Sequence, residues 1–217
     1  MRFFAALLIL VLGGCDVAVS EKPMFTDADT VGAPPLENGV WLMPEKIEDD
    51  ASPCAVDVAK PVSTWPKCAA WALYRNGQWF ERDGETGIAT KPVAGSVLIT
   101  GGDIAIVQVR FDDPDGDAAS SDDPPGPSAY FFAAFDDKPV DASTKLRSVK
   151  LWVAMCGTHK PNAPGTDEDT PEELVRFDGF DEECRPASVD VLRAAARMSR
   201  TPETKLAHFR WARATLD

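Results

Sequence analysis

From residue 39 onward, apolar and polar positions alternate in short runs broken by turn residues, and a period of two favours strands over helices. Val40-Trp41-Leu42-Met43 opens the series as a short strand. Trp71-Ala72-Leu73-Tyr74-Arg75 and Gln78-Trp79-Phe80-Glu81-Arg82 flank Asn76-Gly77. Asn-Gly suits the positive φ demanded at both centres of a type I′ turn, so this stretch is a β-hairpin. Residues 96–100 and 103–111 flank Gly101-Gly102 as a second hairpin. Residues 128–135 are aromatic-rich and strand-like. Within 147–155, Val149, Leu151, Val153 and Met155 share one face, with Lys150 and Trp152 on the other, which reads as a strand with one buried face. Helical spacing surfaces late. Thr170-Pro171-Glu172-Glu173 has the form of a capping box opening a short helix to about Phe177. Ser188 is placed to cap a helix from Val189 to Met198, with Val191, Leu192, Ala195 and Met198 on one face. Phe209 to Arg213 reads as a last strand or a helix end, the strand being preferred. The expected class is mainly β (α+β): an antiparallel meander of about 7–8 strands, a sandwich or partly closed barrel, with a C-terminal helix. No crossover helices separate the strands, which argues against a parallel sheet. A closed barrel would remove exposed edges.

The N-terminus has a different texture. Arg2 precedes an unbroken apolar run from Phe3 to Leu12, and Leu12-Gly13-Gly14-Cys15 closes it. A bilayer-spanning helix needs about 20 apolar residues, and this run is about half that, as in the apolar region of a cleaved signal. The order of positive charge, apolar core, small residues and cysteine resembles the signal sequence and lipobox of bacterial lipoproteins. The resemblance implies cleavage of residues 1–14, a covalent lipid on Cys15, and a membrane-anchored lipoprotein of the cell envelope facing the periplasm. Asp16 after the lipidated residue resembles the inner-membrane retention signal of enteric bacteria, a rule other bacteria do not all follow, so both membranes stay open. Residues 15–37, rich in Pro, Gly, Asp and Ser without a steady period, read as a lipidated flexible tether with a span of roughly 25 Å. The single domain is then 38–217.

Charge changes the picture by exclusion. With 22 Lys and Arg against 35 Asp and Glu, the net charge is −13. A phosphate-binding protein needs a basic face, so nucleic acid is not an expected partner. The same charge repels anionic head groups, so the body is expected to stand off the membrane, which it meets through its lipid anchor. Cysteine number fits export. Setting Cys15 aside, Cys54, Cys68, Cys156 and Cys184 allow three pairings. The local solution is Cys54–Cys68 with Cys156–Cys184; free or metal-binding thiols are the alternative, although no Cys-x-x-Cys spacing supports zinc.

Candidate chemistry is sparse. Asp112, Asp113, Asp115, Asp117, Asp122 and Asp123 crowd one loop, but the pattern fails as an EF-hand and reads as a solvated loop, so no metal is expected. Cys156-Gly157-Thr158-His159 sets a thiol near an imidazole, but a disulfide at Cys156 would remove the thiolate that nucleophilic catalysis requires. His208 lies among mixed apolar and basic residues. No catalytic motif of the recognisable kinds is present, and no cofactor is expected beyond the lipid on Cys15. Trp41, Trp79 and Trp152, in or beside strands, are the candidate ligand-facing aromatics, against the usual role of such residues in cores.

Gly39-Val40-Trp41 at the start of a meander, with a late helix followed by a strand, is similar to the lipocalin layout, and some bacterial lipocalins are lipoproteins. The resemblance implies a barrel that holds a small apolar ligand. The leading expectation is a non-catalytic accessory or interaction domain with an envelope protein partner, which requires a filled core and a broad exposed apolar patch. The alternative is a small-ligand (lipid or sugar) binding barrel, which requires a cleft of roughly 300 Å³ or more. A third reading is an envelope hydrolase using carboxylates.

Overall fold

A computed structural model describes residues 16–43, 54–81, 91–92, 97–111, 129–141, 144–160, 172–202 and 204–217. Its strands are β1 (Val19–Ser20), β2 (Gly39–Leu42), β3 (Trp71–Arg75), β4 (Gln78–Glu81), β5 (Lys91–Pro92), β6 (Val97–Ile99), β7 (Ala105–Phe111), β8 (Ala129–Phe135), β9 (Ser148–Val153), β10 (Gly157–Lys160), β11 (Glu173–Arg176) and β12 (Ala207–Arg213). Among the described residues the α-helix is α1 (Val189–Met198), which precedes β12. The main sheet is antiparallel in the order β5-β4-β3-β2-β12-β9-β8-β7-β6, with β1 added to β8; β10 and β11 form a separate ribbon. The expected mainly-β meander with a C-terminal helix is therefore the observed class.

Chain reach decides between an open sheet and a curled one. β5 and β6 are the two edges of the sheet yet are consecutive in sequence. From Pro92 to Val97 an extended chain spans at most about 18 Å. The edges of a flat sheet this wide lie roughly 38 Å apart, at about 4.8 Å per strand. The sheet must curl until its edges nearly meet, and it forms a nearly closed barrel. Among the described residues β5 and β6 share no ladder, which leaves a seam.

The turns match their sequences. Asn76 (φ 50°) and Gly77 (φ 85°) both adopt the positive φ that the β3–β4 hairpin demands. Val149 and Leu151 on β9 are buried opposite Phe209 and Ala207 of β12, while Lys150 and His208 are exposed. Ser188 caps α1 by accepting from the Val191 N–H at 3.3 Å. The helix covers the outer face of the barrel, where the Trp152 indole N–H donates to the Ala196 carbonyl at 2.8 Å. A second, smaller core lies under residues 54–70: Val40, Leu42, Trp71 and Leu73 meet Val62, Trp65 and Ala69. The Cys54–Cys68 disulfide staples that cover, and Cys156–Cys184 ties the start of the ribbon to the loop before α1. The local pairing is thus the one the fold adopts.

Two expectations need correction. Residues 16–37 are not a free tether. Asp16, Val17, Ala18, Phe25 and Leu36 are buried, and the segment runs the length of the barrel. The Asp16 carbonyl accepts from the Cys156 N–H at 2.6 Å, and the Ala18 N–H donates to the Ala154 carbonyl at 2.8 Å. The Gln108 side-chain carbonyl accepts from the N–H groups of Met24 and Phe25. Backbone pairing and single apolar anchors hold this chain, so it carries no periodic signature. The described part of the stretch expected to be helical up to about Phe177 is a strand instead: Glu173–Arg176 is β11, paired antiparallel with β10. An available ladder outweighs a capping preference worth about 1 kcal/mol.

The direction of each strand defines two barrel ends. The hairpin end carries the Asn76-Gly77 turn, the β6–β7 turn and the first residues of β2 and β9. The ribbon end carries the last residues of β9, the first of β8 and the start of the β10–β11 ribbon. Asp16 lies at the ribbon end, beside Met155 and Cys156. β1 heads back toward the start of β8; the chain then turns, passes Gln108 and reaches the hairpin end, where the Gly101 N–H donates to the Asp29 carbonyl at 3.2 Å.

Candidate functional site: a cleft at the barrel seam

A cleft of about 540 Å³ opens between the β3–β4 hairpin and β6. Its apolar walls are Tyr74 and Trp79 on one side and Val97, Leu98 and Ile99 on the other. Ala33, Pro34 and Pro35 from the N-terminal segment close it over, and Asp27, Thr30, Asn76 and Gln78 supply polar groups. The volume falls within the range of about 300–1,000 Å³ typical of small-molecule sites. A cleft forms here because, among the described residues, the two edge strands do not pair, so side chains rather than a ladder face each other.

The aromatic wall is built in layers. Trp41 is fully buried in the barrel, its indole N–H donating to the Glu37 carbonyl at 2.9 Å. Trp79 packs edge-on against it, with ring centroids 6.0 Å apart and planes at 67°. Tyr74 lies opposite Trp79 across the hairpin, with centroids 4.9 Å apart. Such pairs contribute about 0.5–1.5 kcal/mol beyond the area they bury. The Trp79 indole N–H is buried without a hydrogen-bond partner among the described residues. Packing alone therefore holds that ring, and reorienting it breaks no hydrogen bond. Burial pushes the Tyr74 phenol above its usual range, partly offset by a hydrogen bond with the Gly77 backbone, so it stays neutral. The hairpin itself is held by Asn38, whose side-chain carbonyl accepts from the Asn76 N–H at 3.0 Å.

Of the three aromatics singled out from sequence, only Trp79 lines the cleft. Trp41 supports it from behind, and Trp152 is locked under α1. Tyr74, the 27–35 segment and β6 carried no sequence signal of a site. They come together only because the sheet curls.

Other candidate chemistry falls elsewhere. Cys156 is oxidised to Cys184, so it offers His159 no thiolate. His159 instead contacts the carboxylate of buried Asp16, and that hydrogen bond holds its imidazole above the usual histidine range. On the outer face of β9 and β12, Ser148 Oγ and His208 Nε2 are 2.7 Å apart. Burial, then the Arg210 and Lys150 charges, lower the His208 pKa. Ser148 and His208 are exposed on an open strand face and outside the cleft, so nothing there excludes water from a reacting centre. The aspartate loop from Asp112 to Asp123 lies outside the described residues. Among the described residues no group of three or more His, Cys, Asp or Glu side chains is placed to hold a metal, and no helix is long and apolar enough to cross a membrane. Searches against family profiles, curated proteins and solved structures each return no significant match to this chain.

Proposed function

We propose that this chain is a lipid-anchored cell-envelope protein whose barrel binds a small amphipathic ligand in the seam cleft. The observation that carries the reading is the cleft itself, about 540 Å³ between an aromatic wall and an aliphatic one. Its two walls offer apolar contact while the turn and the covering segment supply polar groups in about equal measure, which suits a small amphipathic ligand. An interaction domain would instead offer a broad apolar patch. Among the described residues the exposed large apolar ones are Val31, Val58, Val140, Val175 and Met198, spread over separate segments. Export and anchoring are supported by the Leu12-Gly13-Gly14-Cys15 pattern and by two disulfides, which persist in oxidising compartments.

The test is a fluorescence titration with the neutral apolar probe N-phenyl-1-naphthylamine. The expected result is saturable binding at one site, weakened about tenfold or more by Trp79→Ala, a loss of about 1.4 kcal/mol. Binding that does not saturate, or that Trp79→Ala and Tyr74→Ala leave unchanged, refutes the ligand reading. Labelling by a fatty-acid probe that Cys15→Ser abolishes tests the anchor separately.

A further inference from the structure

We propose that the lipid bilayer is the partner of the ribbon end, so that the anchored barrel stands directly on the membrane with its cleft turned away from it. This rests on the lipidation of Cys15 proposed above and goes beyond it. One peptide bond separates Cys15 from Asp16. Asp16 is buried, its carbonyl bonded to the Cys156 N–H and its carboxylate in contact with His159. Val17 bridges to Met155, and Val19 and Ser20 pair with Phe131 and Tyr130. The chain is therefore fixed to the barrel from the first residue after the lipid. A tether of free chain, with its span of roughly 25 Å, does not exist between the acyl chains and the fold.

Geometry then selects the surface that meets the head groups. His159 belongs to β10, so the ribbon begins beside the anchor. Val175 pairs with Thr158 on that ribbon and is 48% exposed, an apolar side chain suited to the interface. The cleft lies toward the other end. Its cover, residues 27–35, is reached only after the chain has traversed the outer face of β7 and β8, and Val31 on that cover is 83% exposed. Strand β8 alone separates the two levels by roughly 20 Å. A ligand would thus enter and leave from the aqueous side, not by sliding out of the bilayer.

The experiment reconstitutes the full lipidated protein into phosphatidylcholine vesicles with a head-group-attached quencher. A fluorophore is placed at Val175→Cys or Val31→Cys. Severalfold stronger quenching at position 175 than at 31 is the expected result. Equal quenching, or stronger quenching at 31, overturns the orientation. Deuterium uptake of the unsubstituted protein gives a second readout: vesicles should protect Gly157–Lys160 and Glu173–Arg176 and leave 27–35 unchanged. Unprotected ribbon strands in protein that floats with the vesicles also overturn it. Protein that neither floats nor carries a fatty-acid label removes the anchor reading, and the orientation with it; protein that floats but shows the wrong quenching order removes the orientation alone.

Discussion

His159→Ala should loosen the N-terminal segment by an amount set by what it leaves behind. The Asp16 side chain is 9% exposed, whereas that of His159 is 40% exposed. An ion pair with one partner so open contributes only about 0.2–1 kcal/mol as attraction. Stranding the buried Asp16 carboxylate costs more, about 1–3 kcal/mol. The single variant should therefore lose about 1–3 kcal/mol, and Asp16→Ala/His159→Ala should lose less than the two single changes together. Urea denaturation of the domain beginning at residue 15, with Ser in place of Cys15, measures all four corners of the cycle. The pH dependence has a definite sign. Hydrogen bonding to Asp16 raises the folded-state pKa of His159 above the ordinary value of about 6.5. The stabilisation is thus complete below about pH 6.5 and declines as pH rises through the raised value. The gap between the natural protein and His159→Ala should shrink over that window. Additive losses, or a gap that grows with pH, would refute the argument.

Two further perturbations test the scaffold. Leu192→Ala empties a fully buried position between α1 and the sheet, and should cost about 2–5 kcal/mol in urea denaturation while leaving disulfide formation intact. Gly39→Ala puts a Cβ 2.2 Å from the Arg213 carbonyl oxygen and 2.6 Å from Trp211 Nε1, at φ +136°. It should cost at least about 2 kcal/mol and displace the Trp211 indole proton resonance, because Trp211 donates to the Asn38 carbonyl at 2.9 Å.

What was legible in the sequence was local. Asn76-Gly77 announced its hairpin because few other dipeptides tolerate positive φ twice, and the alternation in β9 announced a strand with one wet face. Ser188 marked the start of α1. Even the weaker strand at Phe209 proved to be β12, inserted between β2 and β9. The failures were relational. Residues 16–37 looked like free chain because Asp16, Phe25 and Leu36 are isolated anchors with no period. Glu173–Arg176 looked helical because its capping box is visible in sequence and its partner strand is not. The cleft draws on residues near 30, 75 and 98, and only closure of the sheet brings them together. Trp79 was within reach of sequence reasoning as an aromatic beside a tight turn. Nothing in the sequence separated it from Trp41 and Trp152, which build core.

The barrel's proposed role rests on the seam cleft taking up a ligand. Backbone and indole chemical shifts, followed as N-phenyl-1-naphthylamine is added to the isotope-labelled domain, test it most directly. Saturable changes are expected at 27–35, 74–79 and 97–99, including the Trp79 indole proton, with the ribbon strands β10 and β11 unmoved. Changes centred on the ribbon, or scattered without saturation while the cleft residues stay still, would contradict it.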